Sequence, residues 1–289
     1  MTVFLVVVLL SFSGNEQVLP LPLETPVFDY TTSVTEDLST RLELVRCESN
    51  SITDYESWFN SLSGNWPGAT FHNGGINNEI RGDVPPDGIS SVLTVPGGDS
   101  FHLSQIINSG DFTIALYGDP PNMYNVVLNP RILVLLNTGT FKTENVYDFL
   151  TYGCDPSRSR EDGDFTFQSL KWAEVEDGIL YVSNAHRTYS SASGGSNGYI
   201  TAIDLESLEV LWRSNPLVSN SENFLLLENV IVTGYGFSNE DDFVYLLDRN
   251  SGEVIESVPV PTAPEYFYID GNTVYVRCYD SDCVFMLND

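Results

Sequence analysis

The C-terminal part of the chain consists of short apolar and β-branched runs separated by clusters of Gly, Asn, Asp and Ser, the pattern of strands joined by tight turns. One unit comprises Phe165 to Trp172, Gly178 to Val182, Gly198 to Asp204 and Glu209 to Trp212. A second comprises Asn223 to Leu227, Asn229 to Thr233, Phe243 to Asp248 and Gly252 to Ile255. A third comprises Glu265 to Ile269, Asn272 to Val276 and Cys283 to Leu287. Asp204 and Asp248 hold equivalent places, 44 residues apart. A period of about 40–50 residues with four strands per unit predicts an all-β β-propeller, built of four-stranded antiparallel blades. The third unit ends one strand short. We expect the ring to be closed by an N-terminal strand, with residues within 20–32 pairing with 283–288. The prolines between Val18 and Tyr30 suit only an edge strand, and the outermost strand of a blade is one.

Upstream, Phe112 to Tyr117, Arg131 to Leu136 and Asn145 to Phe149 predict a degenerate blade over residues 101–164. Residues 31–100 read as irregular. Within them, Thr53-Asp-Tyr-Glu56 has the form of a capping box that opens a short helix near residues 53–62. At about 45 residues per blade, the chain holds about five to six blades. The expected organisation is a single propeller domain over 16–289, with the clear repeats in 165–289. Residues 1–15 read as a secretory signal or a truncated remnant of one. The run from Val3 to Leu10 is apolar, too short for the ~20 residues of a membrane span, and followed by small residues. An extracytoplasmic location (secreted, periplasmic or at the cell surface) follows, and no integral membrane span is expected.

The stretch Tyr199-Ile-Thr-Ala-Ile-Asp204-Leu-Glu-Ser-Leu-Glu-Val-Leu-Trp212 resembles the repeat of the pyrroloquinoline-quinone-like β-propellers. That repeat has Ala, a hydrophobic residue and Asp, then a turn usually carrying Gly, then a strand ending in Trp. Ala202, Asp204 and Trp212 match, with Leu208 where the turn glycine is usual. In the second unit Gly252 is in place, but Ser257 stands where the Trp would be. The resemblance, over residues 165–289, implies the fold. Asp would accept bonds from turn N–H groups, Gly would supply a positive φ, and Trp would lie between blades. It also raises quinone chemistry, which is not expected, because the chain lacks the adjacent cysteines found beside that cofactor in many members and is far shorter than the eight-bladed enzymes.

Charge narrows the partners. The 289 residues include 12 Lys and Arg against 40 Asp and Glu, for a net charge of −28. Such a surface disfavours nucleic acid and anionic membranes and attracts cations. Among the four cysteines, Cys278 and Cys283 flank Tyr-Asp-Ser-Asp, read as a four-residue hairpin loop. They are the candidate structural disulfide, which calls for an oxidising compartment.

Catalytic signatures are absent from the sequence. It has three histidines, His72, His102 and His186, and no Gly-x-Ser-x-Gly elbow. His186, Arg187, Tyr235, Arg277 and Tyr279 fall at equivalent strand ends in successive units, so they are the candidate binding face. Asp241, Asp242, Asp280 and Asp282 lie in acidic hairpin loops and are calcium candidates, without the spacing of a helix–loop–helix site. No other cofactor is expected. The reading is a monomeric, non-enzymatic binding or scaffold propeller that recognises a protein or glycan. Its alternatives are a hydrolase or lyase with a funnel site around His186 and Arg187, and a subunit of an envelope assembly.

Overall fold

The computed structural model describes residues 21–22, 39–50, 57–58, 61–62, 69–72, 87–95, 98–119, 129–149 and 168–288. The strands among them are β1 (Leu21–Pro22), β2 (Arg41–Ser49), β3 (Ala69–His72), β4 (Val92–Thr94), β5 (Ser100–Ser109), β6 (Phe112–Gly118), β7 (Pro130–Asn137), β8 (Thr143–Asp148), β9 (Ser169–Glu176) and β10 (Ile179–Ala185). They continue as β11 (Tyr199–Asp204), β12 (Val210–Arg213), β13 (Leu225–Leu226), β14 (Val230–Tyr235), β15 (Phe243–Asp248), β16 (Val254–Pro259), β17 (Pro264–Asp270), β18 (Thr273–Cys278) and β19 (Ser281–Asn288).

The repeats form as expected. β9 to β12, and then β13 to β16, each make a four-stranded sheet in chain order. The third sheet runs β17-β18-β19-β2, its last strand supplied from the N-terminal region. That strand is Arg41–Ser49, paired antiparallel with Ser281–Asn288, and not a strand from 20–32. Leu21 and Pro22 instead pair parallel with Tyr147 and Asp148 at the edge of another sheet, where proline's missing N–H costs least.

Residues 69–149 and the short β1 build a seven-stranded sheet, β1-β8-β7-β6-β5-β3 with β4 also on β5. The described residues therefore form four sheets, below the five to six blades expected. The supposed degenerate blade over 101–164 merges with strands from the region read as irregular, and 150–164 lies outside the described residues. The two-residue period of a strand explains how this sheet is buried on both faces. Ile114, Leu116, Leu133 and Leu135 face one core, while Ala115, Tyr117, Ile132, Val134 and Leu136 face another. Of the expected helix, Ser57, Trp58 and Ser61 are helical, and 53–56 lies outside the described residues. Trp58 packs on Tyr266 with Tyr268 and Tyr275 behind.

Cores lie between successive sheets. Ile231 and Leu247 of β14 and β15 join the core shared with β9 to β11, while Val230, Val232, Val244 and Leu246 turn to the core shared with β17 to β19. This face-to-face stacking of four-stranded sheets is the packing of propeller blades.

The repeat motif works as the residues suggested. Asp204 Oδ1 accepts from the N–H groups of Glu206 (3.0 Å) and Ser207 (2.6 Å), which pulls its carboxyl below the usual range. Asp248 Oδ1 accepts from Asn250 N–H at 2.7 Å. Leu208 and Gly252 share the left-handed conformation, with φ of 63° and 73°. Trp212 lies against the Gly252 Cα of the next sheet, so any Cβ there would strike its ring.

The predicted Cys278–Cys283 bond is not formed. The β18–β19 turn is the two residues Tyr279 and Asp280, so Cys283 sits opposite Val276 and not Cys278. On its other side Cys283 faces Cys47 directly, with Cα atoms 4.1 Å apart, and the two are bonded. Cys278 remains a buried free thiol, pushed up to about 12 by burial.

Candidate functional site

The second strand of each repeat sheet and the lead-in to each first strand meet at one end of the stack. There, residues after β10, β14 and β18 and before β13 and β17 surround a cleft of about 560 Å³. Its lining includes His186, Arg187, Glu222, Glu240, Asp242, Glu265 and Tyr279, with Lys171 reaching in from β9.

Polar straps set this geometry. The Asn220 amide closes a two-bond ring on the Gly236 backbone, at 2.7 and 3.1 Å. Asn197 accepts from the His186 N–H at 2.8 Å and donates to the Tyr235 hydroxyl at 3.3 Å. That hydroxyl donates to Glu240 Oε2 at 2.9 Å. The other Glu240 oxygen accepts from the Ser190 N–H and hydroxyl at 2.7 and 2.8 Å. Glu240 thus pins the β10–β11 loop of one sheet to the β14–β15 loop of the next. Lys171, almost fully buried, pairs with Glu222 at 2.7 Å across the same junction. Thr262 donates to Asp280 at 2.8 Å, fixing the third turn.

The five residues of the expected face separate. His186, Arg187 and Tyr279 line the cleft. Tyr235 and Arg277 stand behind its wall, buried to 3% and 4% exposure. Arg277 pairs with Asp282 at 3.0 Å. His186 is itself 1% exposed. Its Nε2 is 2.7 Å from the Ser193 hydroxyl, while Nδ1 makes no hydrogen bond of ordinary geometry. Burial lowers its pKa to about 4, against the opposing pull of the Thr188 backbone and the Glu240 charge, so the ring is neutral at pH 7. Among the described residues Arg187 makes no hydrogen bond, ion pair or ring contact, and its Nε is buried without a partner. The other arginines among the described residues are all engaged: for example, Arg131 pairs with Asp148 and Arg249 with Glu176 and Asp177. Tyr279 offers a ring 71% exposed.

The calcium candidates are also dispersed among partners. Asp282 is taken by Arg277 and Asp280 by Thr262. Asp242 lines the cleft with Oδ1 buried and unpartnered beside Gly236. Burial raises it to about 6, opposed by a hydrogen bond from the Phe237 backbone and reinforced by Asp241, Glu240 and Asp280. Among the described residues no three His, Cys, Asp or Glu side chains are grouped to hold a metal.

Sequence reasoning missed Lys171, Glu222, Glu240 and Glu265. One signal was available: Lys171 is one of only two lysines, and it sits inside an apolar strand. A lone cation there calls for a buried partner.

No family model and no curated protein matches the chain. Among solved structures, it is similar to the computationally designed Ika4 protein at 10% identity and a TM-score of 0.38, covering 63% of this chain and 88% of that one. It is similar to BamB from Moraxella catarrhalis at 13% identity and a TM-score of 0.36, covering 85% and 100%. A third likeness is to the designed Ika8 protein, at 10% identity and a TM-score of 0.33, covering 67% and 61%.

Proposed function

We propose that this protein is a non-enzymatic, extracytoplasmic binding propeller that engages a protein or glycan partner through the cleft at His186, Arg187 and Tyr279. The observation that carries this reading is Arg187, a guanidinium with no internal partner in a chain that has 28 more acidic than basic residues. An unpaired, part-buried cation sharing a cleft with an exposed tyrosine, on turns of a rigid scaffold, is the composition of a binding hot spot. A non-enzymatic role draws support from His186, whose ring is buried, bonded to Ser193 and neutral well below physiological pH. Proton transfer favours a pKa near the operating pH. The Cys47–Cys283 bond is compatible with an oxidising compartment. No helix among the described residues is long and apolar enough to cross a membrane.

The test is a photo-crosslinking amino acid placed at Tyr279 in the full chain, in cells that express it. A matched probe goes at Val254 on the outer strand β16. A discrete adduct from position 279 and none from 254 is expected. Equal labelling from both, or none from 279, would overturn the proposal.

A further inference from the structure

We propose that the ligand of the cleft is a neutral saccharide, with one sugar ring lying on Tyr279 and its hydroxyls shared between Arg187 and Asp242. This rests on the cleft being the recognition site and names what it recognises.

The polar groups of the cleft fall into two sets. Glu222 is spent on Lys171, and Glu240 on the Ser190 N–H, the Ser190 hydroxyl and the Tyr235 hydroxyl. What remains for a ligand, among the described residues, is the Arg187 guanidinium and the Asp242 carboxyl group, which both line the cleft; the Arg187 Nε, the His186 Nδ1 and the Asp242 Oδ1 are closed off in its wall. The polar groups that line the cleft define the complement a ligand brings. The set contains a donor, the guanidinium, and an acceptor, the carboxyl group. A hydroxyl group both donates and accepts, and adjacent sugar hydroxyls do so at two neighbouring points.

Charge removes the competitors. The lining carries Lys171 and Arg187 against Glu222, Glu240, Asp242 and Glu265, within a chain of net charge −28, so an anionic ligand is repelled. A cation would meet the free Arg187, while Glu222 and Glu240 are already saturated. An extended peptide would need an open strand edge to add to. The lining is instead turns and strand lead-ins, apart from Lys171 of β9 and Pro264 and Glu265 of β17, where the Glu265 carbonyl already accepts from the Glu222 N–H at 2.8 Å. Tyr279 supplies an exposed aromatic face with no ring partner, suited to the apolar C–H face of a sugar. The volume of about 560 Å³ lies within the range of small-molecule sites.

The experiment is calorimetric titration of the full chain with neutral hexose and N-acetylhexosamine oligosaccharides, a hexuronate oligomer and a lysine-rich peptide. The variants are Arg187→Ala and Tyr279→Ala, with Arg46→Ala on the exposed β2 as control. At least one neutral oligosaccharide should bind, with affinity about tenfold or more weaker in both cleft variants. The control should be unchanged, and binding should be nearly independent of ionic strength. No neutral oligosaccharide binding, equal binding by Arg187→Ala, or tighter binding of the hexuronate or the peptide would overturn it. If the Tyr279 probe crosslinks a polypeptide while no sugar binds, the saccharide is wrong and the recognition cleft stands. If neither occurs, both fall.

Discussion

The seven-stranded sheet and the repeat sheets both bury apolar cores, yet they are joined to their neighbours differently. The seven-stranded sheet meets β9 largely through hydrocarbon, with Leu133, Leu135 and Tyr147 in one core with Leu170 and Trp172. Among the described residues its direct polar ties to β9 are few: the Ser109 hydroxyl accepts from the Val175 N–H at 2.7 Å and lies 3.2 Å from the Val175 carbonyl, and Asn129, just before β7, accepts from the Ser169 hydroxyl at 3.0 Å. The repeat sheets are laced together at both ends. At the cleft end the straps are Glu240 and the Lys171–Glu222 pair. At the other end Arg249 reaches from the β15–β16 turn to Tyr181 at 3.1 Å, Asp177 at 2.9 Å and Glu176 at 2.9 Å. Between their inner strands Asn223 acts as a backbone surrogate, accepting from the Phe267 N–H at 2.8 Å and donating to its carbonyl at 2.9 Å. Apolar burial holds sheets together without fixing their register, whereas directional bonds fix the spacing of turns. A site assembled from several turns depends on the second kind of junction.

The largest effect should come from the one covalent tie. β2 buries only Leu42 fully and leaves Leu44 and Val45 exposed, so little apolar area anchors it. The Cys47–Cys283 bond spans 236 residues of sequence. Chain-entropy reasoning gives such a loop on the order of 5 kcal/mol. Cys47→Ser should lower stability in denaturant titration by about that amount and deprotect the β19 amides in hydrogen exchange. A loss under about 1 kcal/mol would mean the backbone ladder alone holds the strand.

Next in size is Asn223→Ala, which strands the Phe267 N–H and carbonyl in a buried setting. About 2–3 kcal/mol should be lost, as for buried donors and acceptors left without partners. Ser109→Ala, at the other kind of junction, should cost about half as much. Equal losses would erase the distinction between the two junctions. Comparing Gly252→Ala with Leu208→Gly sharpens the same contrast within the repeats. The first drives a methyl group into Trp212 and strains a φ of 73°, and should cost about 1–3 kcal/mol. The second relieves a φ of 63° but removes a side chain packed against the core, so it should be within about 1 kcal/mol of neutral.

The repeats were legible because their signal is local. The 44-residue spacing of Asp204 and Asp248, and the turn chemistry after each, lie within a few residues of the strands they end. Even the irregular Leu208 was visible as the residue in the glycine position. The fourth strand of the third repeat sheet and the disulfide were not legible, because both depend on register. A two-residue turn in place of a four-residue loop moves Cys278 away from Cys283, and Arg41–Ser49 carries the mixed polarity of an outer edge with little apolar pattern. For the cleft, equivalent strand ends led to residues at one end of the stacked sheets. They could not tell His186, Arg187 and Tyr279, which line it, from Tyr235 and Arg277, which point into buried ion-pair and hydroxyl networks. Which of two neighbouring polar residues a wall consumes is a tertiary fact.

The smallest effect concerns the junction between the two regions and depends on pH. Glu174 of β9 accepts from the Trp172 indole N–H at 2.8 Å, one residue before the Val175 that Ser109 binds. Burial is the main cause raising its carboxyl from 4.5 to about 7, with Glu176 adding to it and the indole bond opposing it. The fold therefore favours the neutral acid. A carboxyl raised in this way contributes its full stability below the unfolded value near 4.5 and loses it as pH rises through about 7. Asp242, also raised, slopes the same way, while His186, lowered to about 4, slopes oppositely between about 4 and 6.5. A single melting curve of the wild type would mix all three. The difference in melting temperature between wild type and Glu174→Gln cancels the other two. It should favour the wild type near pH 5 and shrink by about 1 kcal/mol equivalent by pH 8, once partial exposure is allowed for. Gln keeps an acceptor for Trp172 but cannot ionise, so a difference that stays constant across that range would show that Glu174 carries no charge-dependent strain at the junction.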